Sequence, residues 1–188
     1  MFGMTDADSD SAIELLERDH DEVEKLFAHY EDIKDGAGGA DKESLVAEIC
    51  DALTVHAQIE EQIFYPAARR ALADGEGKDL LDEAAVEHQS LKDIIARLEA
   101  ASTGDPLYDA GVKVLSEYVK HHVKEEEKEL FPRVRASGMD LDAVGRQLAA
   151  RKRQLTSESS AARRTGNGRR RPANAARASR DRGAATAA

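Results

Sequence analysis

Thr54-Val55-His56-Ala57-Gln58-Ile59-Glu60-Glu61-Gln62-Ile63-Phe64-Tyr65-Pro66 decides how the chain is read, because it returns 66 positions later. There, Lys120-His121-His122-Val123-Lys124-Glu125-Glu126-Glu127-Lys128-Glu129-Leu130-Phe131-Pro132 sets His122 on His56, Glu126 on Glu60, Glu127 on Glu61 and Pro132 on Pro66. A His and a Glu four residues apart share one face of a helix, so each copy aims an imidazole and a carboxylate at the same point. Two such pairs predict one metal site built between two helices.

The flanking sequence supplies the rest of a helical frame. Before the first copy, Ile13, Leu16, His20, Val23 and Phe27 recur at three- and four-residue steps, an apolar stripe with a histidine in its middle. An N-cap is expected among Asp8, Ser9 and Asp10, and Gly36, Gly38 and Gly39 end this helix. The second helix, with Asp41 as cap, carries Leu45, Ile49, Leu53, His56, Glu60 and Ile63 on its stripe and should kink at Pro66. Asp74, Gly75 and Gly77 read as a turn. Leu81, Ala84, His88, Leu91 and Ile95 then repeat the first helix, with His88 in the place of His20. Asp105-Pro106 should open a fourth helix through Leu115, Val119, His122, Glu126 and Leu130.

The expected fold is therefore all-α: an up-down-up-down four-helix bundle with a pseudo-twofold axis, a short extra C-terminal helix and a disordered basic tail. Its divisions are a flexible N-terminus over 1–9, the bundle over 10–137, an amphipathic helix over 138–156 and an Arg/Ala-rich tail over 157–188. Composition agrees, since Trp is absent, aromatics make up 4% and Gly and Pro gather at a few breaks. The one cysteine, Cys50, excludes an internal disulfide and a cysteine-built metal cluster, and reads as a small core residue. The sequence contains neither a membrane-length apolar run nor a secretory signal pattern, so the expected compartment is the cytoplasm.

Six polar side chains occupy positions that should face the core: His20, His56, Glu60, His88, His122 and Glu126. Left unpaired there, each neutral group would cost on the order of 1–3 kcal/mol and each carboxylate more. A lone histidine on an apolar stripe is usually a hydrogen-bonded core residue, but four in register with two glutamates and an internal repeat point to a metal. Imidazole with carboxylate suits iron, manganese or zinc, and two glutamates can bridge two ions. His29, one step off its stripe, reads as a surface residue. Glu61 and Glu127 remain open between ligand, acceptor for a histidine N–H and solvated acidic edge.

On these residues, with Phe64, Leu130 and Phe131, the chain resembles the hemerythrin-like, or HHE cation-binding, family over about residues 10–136. The resemblance implies a non-haem di-iron centre: two iron ions, terminal histidines and a bridging glutamate from each of the second and fourth helices. It also implies chemistry with a small oxidant, dioxygen, hydrogen peroxide or nitric oxide, including catalase-like or sensing roles. Iron storage, sensing or donation for iron-sulfur repair, and a structural metal bundle, are the alternatives. Oxygen carriers of the family place a second histidine four residues from the first on the third helix, whereas here Ala84 and Lys92 flank His88 at that spacing. That favours an open position, or an oxygen ligand from Glu61, Glu127 or a tyrosine, over reversible oxygen carriage.

The net charge of -10 hides a division, since residues 156–188 carry eight Arg against Glu158 and Asp181. The body is acidic and the tail basic. Arg163-Arg164 and Arg169-Arg170-Arg171 could neutralise nucleic-acid phosphates, against the plainer reading of a solubilising or self-associating arm drawn to the body's own acid. No aromatic residue interleaves them, and nothing in the sequence sets the oligomeric state.

Overall fold

The computed structural model describes residues 10–72 and 75–166, and among these every regular element is helical. The chain runs through α1 (Ala12–Ile33) to α2 (Gly39–Ile59), which continues through a π-helical turn (Glu60–Phe64) into α3 (Tyr65–Ala71). Then come α4 (Gly75–Ala100) and α5 (Tyr108–Glu125), the latter passing through a second π-turn (Glu126–Leu130) into α6 (Phe131–Ala136). The four bundle helices are thus present, and α7 (Leu141–Gly166) packs along α1 and α2 as a fifth.

Several helix boundaries differ from the sequence reading. Ser11, not Asp8, Ser9 or Asp10, caps α1: its Oγ accepts from Glu14 N–H while Glu14 Oε2 accepts from Ser11 N–H at 2.9 Å, a reciprocal capping box. Gly38 is the N-cap of α2, leaving Asp41 in the first turn, where its charge favours the helix dipole. Gly75 and Gly77 lie inside the first turn of α4 rather than in a linker. Asp105 and Pro106 form a turn ahead of α5, which starts at Tyr108.

The kink expected at Pro66 takes a specific form. Proline has no N–H, and its ring would strike the carbonyl four residues back in an α-helix. The helix widens instead, so that Tyr65 N–H bonds to the carbonyl of Glu60 and, in the second copy, Phe131 N–H bonds to that of Glu126. This extra residue per turn changes which side chain points inward: Phe64 is fully buried, while Ile63, expected on the stripe, is half-buried.

The largest correction concerns α7, expected to end near 156 and running to Gly166. Up to Leu155 it is held by buried Val144, Leu148 and Leu155, and Gly145 sits against the start of α1. Past Leu155 it is held by polar contacts that hydrophobic periodicity does not reveal. Ser159 Oγ donates to Asp51 Oδ2 at 2.5 Å, and the Arg163 guanidinium meets Asp51 and the Ala47 carbonyl. Residues 1–9 and the tail beyond 166 lie outside the described residues.

Two apolar clusters fill the bundle. One gathers Leu16, Ile59, Phe64, Leu81, Phe131 and Leu148; the other gathers Phe27, Ile49, Leu53, Leu91, Leu115 and Val119. Each bundle rod crosses from one to the other, and the predicted polar residues fall at the crossing, His20 between Leu16 and Val23, His56 between Leu53 and Ile59. Cys50 is buried in the second cluster, where burial pushes its thiol up to about 12. His29 is exposed.

Candidate metal centre

All six predicted residues converge in this layer, each no more than 7% exposed. His20, His56, Glu60 and Glu126 form one focus, and Glu60, His88 and His122 a second that shares Glu60. Nε2 of His20 lies 3.2 Å from Nε2 of His56 and 3.3 Å from Glu126 Oε2, and Nε2 of His56 lies 3.2 Å from Glu60 Oε2. On the other side Nε2 of His88 is 3.0 Å from Nε2 of His122 and 3.4 Å from Glu60 Oε2. Donors about 2.0–2.2 Å from a shared ion stand roughly 3.0–3.6 Å from one another, the range observed here.

The outward nitrogens explain why the inner ones face the centre. Nδ1 of His20 donates to Glu127 Oε1 at 3.0 Å, Nδ1 of His88 to Glu61 Oε1 at 2.9 Å and Nδ1 of His122 to Glu87 Oε2 at 2.7 Å. An ionised carboxylate only accepts, so Nδ1 of each of these three rings carries a proton, and Nε2 is the atom that faces the centre and could bind a cation. The fourth ring, His56, has Asp19 Oδ2 at 3.6 Å from its Nδ1, an ion-pair separation too long for a hydrogen bond. Glu61 and Glu127 therefore take the role of acceptors for a histidine N–H. Lysines brace two of the outer acids: Lys92 bonds both oxygens of Glu61 at 2.6 and 2.7 Å, and Lys152, reaching from α7, bonds Asp19.

The site's own chemistry asks for a cation. Both oxygens of Glu60 and Oε2 of Glu126 are buried with no hydrogen-bond partner, in residues 0% and 2% exposed. Burial alone would raise the Glu60 carboxyl, but the His56 and His88 imidazoles beside it more than reverse this and hold it well below the usual range. Burial would likewise lower His56, yet Glu60 and Asp19 carry it up to about 10. Without a metal the layer thus holds Glu60 ionised beside a protonated His56, and a cation between them would replace that proton.

Several contributing residues escaped the sequence reading. Asp19 and Glu87 each precede a ligand-position histidine, His20 and His88, so matching the first and third helices on their histidines also matches these acids. Tyr65 was represented only by the general expectation of a tyrosine. Its hydroxyl donates to Glu126 Oε1 at 2.8 Å and lies 3.2 Å from His88 Nε2. Burial and the Glu126 carboxylate push this phenol well above its ordinary value. Its counterpart in the second half is Phe131, which stacks on the His20 ring at 5.9 Å. The equivalent aromatic positions beside the two foci therefore differ by one hydroxyl.

A sequence profile described as the Hemerythrin HHE cation binding domain matches residues 11–134. The chain belongs to the hemerythrin HHE cation-binding family. A solved hemerythrin HHE cation binding domain-containing protein from Mycobacterium kansasii, a homologue of Rv2633c, superposes with a TM-score of 0.68 at 24% identity. That match covers 83% of this chain and 93% of the other and supports the shared fold. A protein of Nostoc sp. (strain PCC 7120 / SAG 25.82 / UTEX 2576) named a DNA nickase is 28% identical over 122 residues, 65% of this chain. The chain spans 33% of that relative's length. As an HHE domain the bundle binds a metal cation. No helix among the described residues is long and apolar enough to cross a membrane.

Proposed function

We propose that this HHE bundle holds two iron ions, with His20 and His56 on one, His88 and His122 on the other, and Glu60 and Glu126 between them. The observation that carries this reading is the set of buried carboxylate oxygens without hydrogen-bond partners at the focus of four imidazoles. Bound iron supplies redox chemistry with a small oxidant such as peroxide, nitric oxide or dioxygen. The chain's part is to orient the imidazoles through Glu127, Glu61 and Glu87, to exclude bulk water and to keep a proton on the Tyr65 hydroxyl beside Glu126.

A cavity of about 330 Å³ adjoins all four histidines and supports the choice of an uncharged substrate. Leu53, Leu91, Ile95 and Val119 line it, and the exposed Thr54 and Lys92 also border it. Such a space favours a neutral small molecule over an anion that would have to shed its hydration. The test is metal analysis followed by absorption spectra with each oxidant. About two irons per chain with a spectrum that responds to peroxide, nitric oxide or dioxygen is the expected result. Iron that is bound yet inert to all three would transfer the reading to iron storage or donation.

The name of the Nostoc relative gives a second reading its motive, contact with nucleic acid through the basic segment. Arg163 is already engaged by Asp51, so the phosphate contacts fall to Arg169, Arg170 and Arg171. Truncation after Gly166 keeps α7 whole, and unchanged salt-dependent retention on DNA after that cut would remove this reading.

A further inference from the structure

A second group of metal-ligating side chains converges outside the buried centre. His121 and Glu125 lie one turn apart on α5, and Glu87 reaches them from α4. His121 Nε2 is 3.4 Å from Glu87 Oε1 and 3.2 Å from Glu125 Oε1, within the roughly 3.0–3.6 Å that separates donors on one ion. Side-chain exposure falls from 59% at His121 to 25% at Glu125 and 15% at Glu87, so the group leads from solvent inward.

Two further observations give this surface trio a direction. Beside it lies a void of about 10 Å³, lined by Glu87, Glu125, His122 and Glu126 together with Leu80, Ala84 and Leu130, the room of one water or one ion. Glu126, which lines this void, is 2% exposed, and its Oε2, 3.3 Å from His20 Nε2 in the buried centre, has no hydrogen-bond partner, so the void adjoins a residue of the centre whose carboxylate is unsatisfied. Glu87 joins the two sides, with Oε1 at His121 and Oε2 bonded to His122 Nδ1 at 2.7 Å.

The pseudo-twofold axis shows that this arrangement is not a by-product of the fold. The counterparts of His121, Glu125 and Glu87 are Val55, Ile59 and Asp19. Val55 and Ile59 are buried in the cluster that includes Val144 and Leu148 of α7, and Asp19 is bonded to Lys152 of α7. One face of the bundle is therefore sealed by the fifth helix, while the equivalent face carries three ligating side chains.

We propose that His121, Glu125 and Glu87 form a surface cation site that receives a divalent first-row metal ion and passes it to His122 and Glu126. The proposal rests on the buried layer being the metal centre. No bond to carbon changes and no electron moves; the ion exchanges water and surface ligands for buried ones.

The test uses the full chain freed of metal and given limiting Fe2+ without oxygen, with uptake followed against a chromophoric chelator. His121→Gln and Glu125→Gln should load about tenfold more slowly yet reach the wild-type iron content. Glu129→Gln removes the same charge one turn away and should load as wild type does. In a separate titration of the iron-loaded protein with Mn2+, electron paramagnetic resonance should find one additional held ion that His121→Gln loses. Wild-type loading rates in both trio variants, or equal slowing in Glu129→Gln, would overturn the site. If the wild-type chain took up no iron, the buried-centre reading would fail; Mn2+ added to that metal-free chain would then decide the trio by itself, one ion held by wild type and lost in His121→Gln supporting it and no held ion overturning it.

Discussion

Lys152→Ala should weaken a metal centre that Lys152 never touches. The ammonium group bonds Asp19, whose side chain is 5% exposed and whose other oxygen faces His56, and it lies 3.9 Å from Glu22. Burial would raise the Asp19 carboxyl, and His56 with Lys152 reverses this and holds it ionised. A hydrogen bond between charged groups contributes about 1.5–3 kcal/mol. With the Lys152 side chain 32% exposed, water can replace part of it, leaving a loss of about 1–2 kcal/mol. For a chain of this size that lowers the melting midpoint of the metal-free protein by roughly 2–8 °C. Because Asp19 also positions His56, metal affinity should fall about tenfold, and Lys152→Arg should restore most of it. Melting by circular dichroism and affinity by chelator competition read the two effects separately. A variant that melts early but holds metal as tightly as wild type would refute the link from α7 through Asp19 to His56. It would leave Lys152 as a strut for the helix alone.

Tyr65→Phe should keep the fold, because Phe131 already places a phenyl ring at the equivalent position, but its metal-free form should melt earlier, since Glu126 Oε1 loses the hydroxyl that donates to it. Its iron content should be unchanged and its absorption after oxidant altered, and an identical spectrum would separate Tyr65 from the centre. Gly145→Ala would drive a Cβ to 2.4 Å from the Asp10 carbonyl oxygen and 2.8 Å from Ala12 N, both backbone atoms that cannot swing aside. It should cost about 1–3 kcal/mol, read as an earlier melt; an unchanged midpoint would mean that α7 yields without strain. The metal-free bundle should lose stability at both ends of the pH scale. His56, raised to about 10, stabilises fully below its unfolded value near 6.5 and loses that contribution as pH climbs through 10. Glu60, held low, stabilises above its unfolded value near 4.5 and loses that contribution as pH falls through its depressed folded one. Metal must displace the His56 proton, so apparent affinity should rise about tenfold per pH unit between 7 and 9 for each proton released, and a flat profile would contradict this.

The bundle and its six inward polar residues were legible because they rest on periodicities that the chain states twice. A histidine in the middle of an apolar stripe, repeated on four helices, leaves few alternatives once the stripes must face one another. The outer carboxylates were written just as plainly, Asp19 before His20 and Glu87 before His88. Their partners, however, are His56 and His122 on neighbouring rods, and which rod an acid reaches depends on packing rather than on spacing. The length of α7 was hidden for another reason. Past Leu155 its attachment is hydroxyl and guanidinium on Asp51 and a backbone carbonyl, contacts that leave no apolar pattern and resemble the composition of an unstructured tail. The inward position of Phe64 in place of Ile63 was hidden by the assumption of a constant 3.6-residue turn.

Each π-turn can be counted as one surplus residue in an otherwise regular spiral. An α-helix advances about 100° per residue, so a surplus residue turns everything beyond it by that much relative to everything before it. Glu60 and Phe64, like Glu126 and Leu130, bracket such a phase change, and both members of each pair are buried. The centre and the apolar floor beneath it are therefore two reading frames joined in one helix. The exposed Gln62 and Lys128 inside the joints are as much a part of the fold by their number as the core is by its side chains. Substituting either changes a surface; deleting either removes the phase change and turns one frame away from the other.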